Sequence, residues 1–210
     1  MADLQTLAQA IHGCTDCGLA RSRTQAVPGE GAPQARLMFI GEGPGFNEDQ
    51  QGRPFIGPAG QFLDELLGSI GLARPDVFIT NMVKCRPPNN RDPFPGEMEA
   101  CSKHLDAQIE AIKPKVIVPL GRHALAKWFP GESIGKVRAK PRRFGGLTLF
   151  PLYHPAAALH NGALRSTILE DFAKLGDLLR APEPAEQPPQ DEAAPGPAEP
   201  SPESHQISMF

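Results

Sequence analysis

The chain has 210 residues, a mass of 22.6 kDa and a formal net charge of −3, enough for one domain with a proper core plus an appendage. No apolar run reaches the length of a membrane span and the amino terminus carries no secretory pattern, so a soluble, cytoplasmic protein is expected. Residues 181–210 hold six acids and no Lys or Arg, which leaves 21 basic and 18 acidic side chains in residues 1–180. A mildly basic body with an acidic tail permits a nucleic-acid partner without requiring one.

Asp3 suits the N-cap of a first helix with Leu4, Leu7, Ala8 and Ile11 on one face, which runs directly into Cys14-Thr-Asp-Cys17. Gly18 to Ala35, rich in Arg, Gly and Pro, reads as a loop leading to a buried strand, Arg36-Leu-Met-Phe-Ile40. Gly41 to Gly60 then reads as one long loop, lined by glycine and stiffened by proline. Pro58 opens a helix carrying Phe62, Leu63, Leu66, Leu67 and Ile70, and Gly71 ends it. Asp76 to Thr80 is a second strand, followed by Asn81-Met-Val-Lys-Cys85 and a proline-rich loop from Arg86 to Pro95. A helix opened by Gly96 and Glu97 passes through Cys101 to Ile112 and stops at Pro114. Lys115 to Leu120 is a third strand, and Gly121 begins a short helix to Phe129. Residues 131–146 show no clear periodicity and hold Lys136, Arg138, Lys140, Arg142 and Arg143. Leu147 to Leu152 is a fourth strand ending in Tyr153-His154-Pro155, and a last amphipathic helix closes the body near Arg180.

Strands alternating with helices predict a three-layer α/β/α sandwich around a four-stranded parallel sheet, occupying residues 1–180. The tail 181–210 contains eight prolines and almost no large apolar side chain before Ile207, a composition expected to stay disordered. A glycine-lined loop at the carboxyl end of a strand is where open α/β sheets hold ligands. No Gly-Lys-Ser/Thr closes this loop, so it is not a phosphate-binding P-loop. It carries Glu42 and Phe55 instead, which suggests a pocket for something flat. Glu42, Asn81 and His154 each follow a predicted strand, so all three should converge at one sheet edge. Taken singly, each has an ordinary reading: Glu42 as a loop-bracing acceptor, Phe55 as core, Asn81 as a turn residue and His154 as a structural histidine. For Glu42 the chemical alternatives are a general base or an electrostatic partner of a cationic transition state. Four cysteines in a cytosolic chain point to metal rather than disulfides. Cys14 and Cys17 form a C-x2-C, and with Cys85 and Cys101 they make a complete ligand set for zinc or an iron–sulfur cluster.

GEGPG at 41–45, GRPFIGPAG at 52–60, NMVKCRPPNNR at 81–91 and YHPAAAL at 153–159, together with the four cysteines, resemble the iron–sulfur (family 4) uracil-DNA glycosylases. The likeness runs from about Cys14 to Arg180. It implies a uracil-DNA glycosylase-like sheet with the base pocket at its carboxyl edge, and a [4Fe-4S] cluster on Cys14, Cys17, Cys85 and Cys101. It further implies that Gly41, Glu42 and Gly43 border the base and the attacked sugar carbon. Phe55 would stack on uracil, Asn81 would read its edge, and His154 would reach O2, with Glu42 and His154 as the catalytic pair. The chemistry agrees with these roles. One amide can accept from uracil N3–H and donate to O4, whereas cytosine presents the opposite pattern. The target base must leave the duplex to reach such a pocket; Leu159 is the apolar candidate for the wedge, and Lys136, Arg138, Arg142 and Arg143 for phosphate contacts.

A sister branch that traps DNA covalently has a histidine in the basic loop. None stands between Lys136 and Arg143, so turnover is expected, by a monofunctional, monomeric hydrolase acting on uracil-containing DNA. Two other classes compete with this reading: an iron–sulfur redox or electron-transfer protein, and a module that binds uracil-containing DNA without releasing a base. Finally, Gln206-Ile-Ser-Met-Phe210 resembles the short peptides that dock on the bacterial sliding clamp, with Gln206 as polar head and Met209 and Phe210 as apolar anchors.

Overall fold

The computed structural model describes residues 3–181; the acidic tail and the clamp-like peptide 206–210 lie outside the described residues. Helix α1 (Leu4–Gly13) begins where Asp3 Oδ1 accepts the Thr6 N–H at 2.7 Å, a side-chain N-cap. The chain continues through β1 (Glu30–Gly31), β2 (Leu37–Gly41), α2 (Phe46–Gln51), α3 (Pro58–Ser69), β3 (Phe78–Asn81) and α4 (Pro95–Ile112). It is completed by β4 (Val116–Pro119), α5 (Gly121–Ala126), α6 (Ile134–Val137), β5 (Arg142–Phe144), β6 (Leu147–Leu149), α7 (Ala156–His160) and α8 (Leu164–Arg180).

The strands form one six-stranded mixed sheet in the order β1-β3-β2-β4-β6-β5. This corrects the expected sheet of four parallel strands. Those four, β3, β2, β4 and β6, are its parallel centre, and β1 and β5 are added antiparallel at the two edges. Neither edge strand has an apolar pattern to announce it. β1 is two residues long, and β5 is exposed throughout, pairing with β6 across the tight Gly145-Gly146 turn. The stretch from Gly41 to Gly60 is likewise not one loop, because it contains α2. That helix has the polar sequence FNEDQQ and presents no apolar stripe to read.

Strand β2 shows how the three layers assemble. Leu37 and Phe39 join the core beneath α3 and α8, with Phe62, Leu63, Leu66, Phe172 and Leu175. Met38 and Ile40 point the opposite way, joining Leu105 and Ile112 of α4 and Leu125 of α5. A smaller cluster of Ile11, Leu19, Ala26 and Val83 surrounds Cys85 and Cys101 at the side of the sheet.

Arg138 follows α6 and ties it to α8. Its Nη1 lies 2.6 Å from both carboxylate oxygens of Asp171, whose side chain is only 1% exposed, and Lys174 adds a weaker contact at 3.6 Å. Removing one partner of a buried pair leaves an uncompensated charge, which costs about 3–5 kcal/mol. With Lys174 nearby, Arg138→Ala is expected to lower stability by about 2–4 kcal/mol in denaturant unfolding. An unchanged unfolding midpoint would make this guanidinium a surface charge free for other contacts.

Candidate functional site

A cavity of about 680 Å³ opens at the carboxyl ends of the parallel strands. Glu42 follows β2, Asn81 ends β3 and His154 follows β6, and all three line it together with Gly43, Phe55 and Tyr153. The strand register that pairs Gly41 with Asn81 sets this convergence.

Phe55 adopts the left-handed backbone conformation at φ 52°, costly for an aromatic residue, and its neighbours hold it there. Arg74 donates from Nη1 to the Pro54 carbonyl at 2.9 Å and from Nη2 to the Phe55 carbonyl, and is itself held by Glu30 at 2.5 Å and Asp64 at 2.7 Å. Gly60 must be glycine because a Cβ there would collide with the Phe55 carbonyl. Glu48 in α2 supplies a second brace. Its Oε1 accepts the Ile56 and Gly57 N–H groups at 2.8 and 2.9 Å, and its Oε2 accepts the Gly45 N–H at 3.1 Å. Loop support, the ordinary reading of Glu42, is therefore carried by Glu48. Among the described residues the Glu42 carboxylate accepts no backbone N–H; only its backbone carbonyl does, from Val83 at 3.1 Å.

The Phe55 ring stacks near His154, centroids 5.4 Å apart and planes at 24°. His154 Nδ1 accepts the Ala156 N–H at 3.1 Å, which places the ring proton on Nε2. Burial pushes the His154 pKa down to about 4, opposed by the charge of Glu48, so at neutral pH the imidazole is an uncharged donor. Asn81 is 2% exposed, and its Oδ1 has no hydrogen-bond partner among the described residues. A Cβ on Gly41 would collide with that oxygen and with the Phe55 ring, so glycine lets both pack against the β2 backbone; Gly41 itself does not line the cavity.

Sequence reasoning passed over two features of the site. Beneath Asn81, the buried Lys84 Nζ donates to the Asn81 carbonyl at 2.8 Å, Thr80 Oγ1 at 2.6 Å and Gln108 Oε1 at 2.7 Å. The second is a charged network around Glu42. Burial pushes the Glu42 pKa up; His123 opposes the shift, Asp92 adds to it and Arg122 opposes it. His123 Nε2 lies 3.6 Å from Glu42 Oε2 and 3.5 Å from Asp92 Oδ2, and accepts from Arg122 Nε at 3.0 Å. Arg122 also pairs with Asp92. The placement rule that found Glu42 would have found this network too, since Gly121-Arg122-His123 follows strand β4. Glu42, Asp92 and His123 form a potential metal-ligand group, but the Arg122 cation already contacts two of its members.

Of the residues expected to meet DNA, Leu159 is 52% exposed on α7, beside the cavity-lining Ala156, Ala157 and His160. Lys136, Arg138, Arg142 and Arg143 do not line the cavity, and Arg142 stacks over Phe129 at 4.9 Å.

The four cysteines do come together. Cys14 caps α1, Cys17 begins the next turn, Cys85 follows β3 and Cys101 lies in α4, and all four line one small pocket. Two N–H groups are directed at sulfur: Arg23 Nη1 to Cys85 at 3.1 Å and the Lys84 amide to Cys101 at 3.3 Å. Burial pushes the Cys101 thiol up to about 11 and raises Cys85 as well, so thiolates there call for a compensating cation. Cys14, Asp16 and His104 also lie within ligand reach of one another, and the buried His104 Nε2 has no partner among the described residues. The donor set fits a metal centre.

Fold and site together define a cavity at the carboxyl edge of an α/β sheet, lined by an aromatic ring, a buried amide and a neutral imidazole, and a separate pocket lined by four cysteines. Residues 28–174 match the model of the uracil DNA glycosylase superfamily. The chain is 50% identical over 192 residues to a type-4 uracil-DNA glycosylase of Sulfurisphaera tokodaii, covering 87% of each chain. It is 49% identical to one from Saccharolobus solfataricus, covering 85% of this chain and 88% of that one. A third, from Thermotoga maritima, is 46% identical over 84% of this chain and 95% of its own. The chain therefore belongs to the type-4 uracil-DNA glycosylases of that superfamily.

Proposed function

We propose that this protein hydrolyses the N-glycosidic bond of uracil in DNA, releasing the free base and leaving an abasic site for base excision repair. The observation that carries the reading is the Asn81 Oδ1 atom, buried and unpaired on the wall of a cavity shared with Phe55 and His154. A buried acceptor without a partner costs about 1–3 kcal/mol, and a ligand N–H would satisfy it. Uracil N3–H is such a donor, and the same amide can donate to O4. Phe55 offers its ring as the stacking surface.

Cleavage leaves negative charge on the base, concentrated at O2. A neutral His154 with its proton on Nε2 supplies a donor there, an oxyanion-hole contribution of about 3–4 kcal/mol. The sugar becomes cation-like at the same moment. Glu42, on the same cavity wall, offsets that charge or orients the attacking water. No lysine lines the cavity among the described residues, which favours a monofunctional hydrolase over one that forms an imine with the sugar. Leu159 at the rim serves as the wedge for the flipped nucleotide, and Lys136, Arg142 and Arg143, with any share left to Arg138, face the phosphates.

Cys14, Cys17, Cys85 and Cys101 hold a [4Fe-4S] cluster in this reading. When bound, it crosslinks the segment after α1 to β3 and α4 and takes no part in the base chemistry. Residues 1–180 act as one glycosylase domain, a monomer working on cytoplasmic DNA. Residues 181–210 tether Gln206, Met209 and Phe210 to the sliding clamp, raising the local concentration of enzyme without changing the pocket.

Incubation with a uracil-containing oligonucleotide followed by alkali should give strand cleavage at the uracil. Asn81→Leu, nearly isosteric, should lose about 100-fold or more of that rate while keeping nonspecific DNA binding and an equal or higher melting temperature, because it deletes an unpaired buried acceptor. Binding of uracil-containing DNA without base release by the parent protein would sink the hydrolase reading. Anaerobically prepared protein should contain iron, and Cys101→Ala should lose iron and thermal stability before any specific loss of chemistry; stoichiometric zinc would refute the cluster. A 201–210 peptide should bind the clamp of the same organism with a Kd on the order of micromolar by fluorescence anisotropy. Equal binding by the peptide with Met209→Ala and Phe210→Ala would remove the tether.

A further inference from the structure

We propose that His123 is the positioning residue that keeps the Glu42 carboxylate ionised and held at the cavity, an inference that rests on the uracil-excising reading above. Because α5 starts directly after β4, Gly121-Arg122-His123 arrives at the same sheet edge as Glu42, Asn81 and His154. His123 is the inner member of the network, with its side chain 17% exposed against 70% for Arg122 and 58% for Asp92. Its Nε2 lies between the two carboxylates, 3.6 Å from Glu42 Oε2 and 3.5 Å from Asp92 Oδ2.

Two carboxylates this close repel, and the more buried one is the readier to take a proton. Glu42 is the more buried, so it needs a cation at the junction. His123 supplies it by holding Arg122. Its Nε2 accepts from Arg122 Nε, so the imidazole carries its proton on Nδ1 and holds the guanidinium against the pair. The other charged or titratable groups around the cavity are engaged elsewhere or farther off. Arg91 is paired with Glu97 at 2.7 Å, Glu48 with three backbone N–H groups and His154 with the Ala156 N–H, while His160 lines the far wall on α7. An uncharged Glu42 could neither offset the cationic sugar nor orient water as an acceptor, so the loss of His123 should be felt first where Glu42 begins to protonate.

The test is the single-turnover excision rate of full-length His123→Ala and His123→Gln on a uracil-containing oligonucleotide, from pH 5 to 9, with enzyme in excess. The acid limb should move to higher pH. The rate at pH 6 should fall roughly five- to tenfold below the parent, against less than about twofold at pH 8.5, with DNA affinity unchanged, the size expected for losing one nearby charge. In a Glu42→Gln background, His123→Ala should shift nothing further. A profile superimposable on the parent overturns the proposal, as does a limb moved to lower pH, which would mean that His123 favours the protonated Glu42 carboxyl. A uniform loss at every pH with a lowered melting temperature in both variants also overturns it, by making His123 merely structural. Absence of base release by the parent protein at any pH fails the excision reading itself, and the role of His123 falls with it.

Discussion

A single buried lysine joins the parts on which the site depends. Lys84 Nζ reaches the Asn81 carbonyl, Thr80 Oγ1 and Gln108 Oε1, while its own amide N–H is directed at Cys101 Sγ. Three short contacts match the three donors of an ammonium, which is how a lysine can lie wholly inside a protein. Thr80 Oγ1 and Gln108 Nε2 both pass on to the Pro28 carbonyl, so the loop before β1 is tied into the same network. Strand β3, helix α4 and the cysteine pocket are therefore joined at one residue, through its ammonium on one side and its backbone N–H on the other.

Above that anchor the carboxylates divide their tasks. Glu48 spends its oxygens on backbone N–H groups and holds the path of the chain between Gly45 and Gly57. Glu30 and Asp64 act at one remove, by orienting the Arg74 guanidinium that keeps Phe55 in its strained conformation. Glu42 is left without a structural duty and faces the cavity. Strain at Phe55, a missing Cβ at Gly41 and an unpaired oxygen on Asn81 all lie close together, and the last is destabilising unless a ligand donor meets it.

The two histidines on the sheet edge are used differently, for electrostatic reasons. His154 is enclosed and accepts a backbone N–H, so burial keeps it neutral and its remaining nitrogen is a fixed donor. His123 lies among Glu42, Asp92 and Arg122, where it accepts from the guanidinium and holds that charge beside the two carboxylates. One serves hydrogen bonding to a developing anion, the other the ionisation of a carboxylate.

Much of this could be read from the chain itself. Short apolar runs and helical spacing identified the four parallel strands and the long helices, since burial on both faces or on one dictates those patterns. Placement after strands identified Glu42, Asn81 and His154, because topology brings the carboxyl ends of parallel strands to one edge. The C-x2-C and two further cysteines pointed to one ligand set, and the four do line one pocket. Tertiary structure alone decided the rest. The edge strands β1 and β5 and the polar helix α2 have no apolar pattern and exist through pairing and backbone capping. Arg138 looked like one more charge in a basic loop until Asp171, remote in sequence, proved to be its partner. His123 was legible only by its place after β4, and Lys84 not at all, because what an imidazole or a buried lysine does depends on acceptors and charges that only the folded chain brings within a few ångströms.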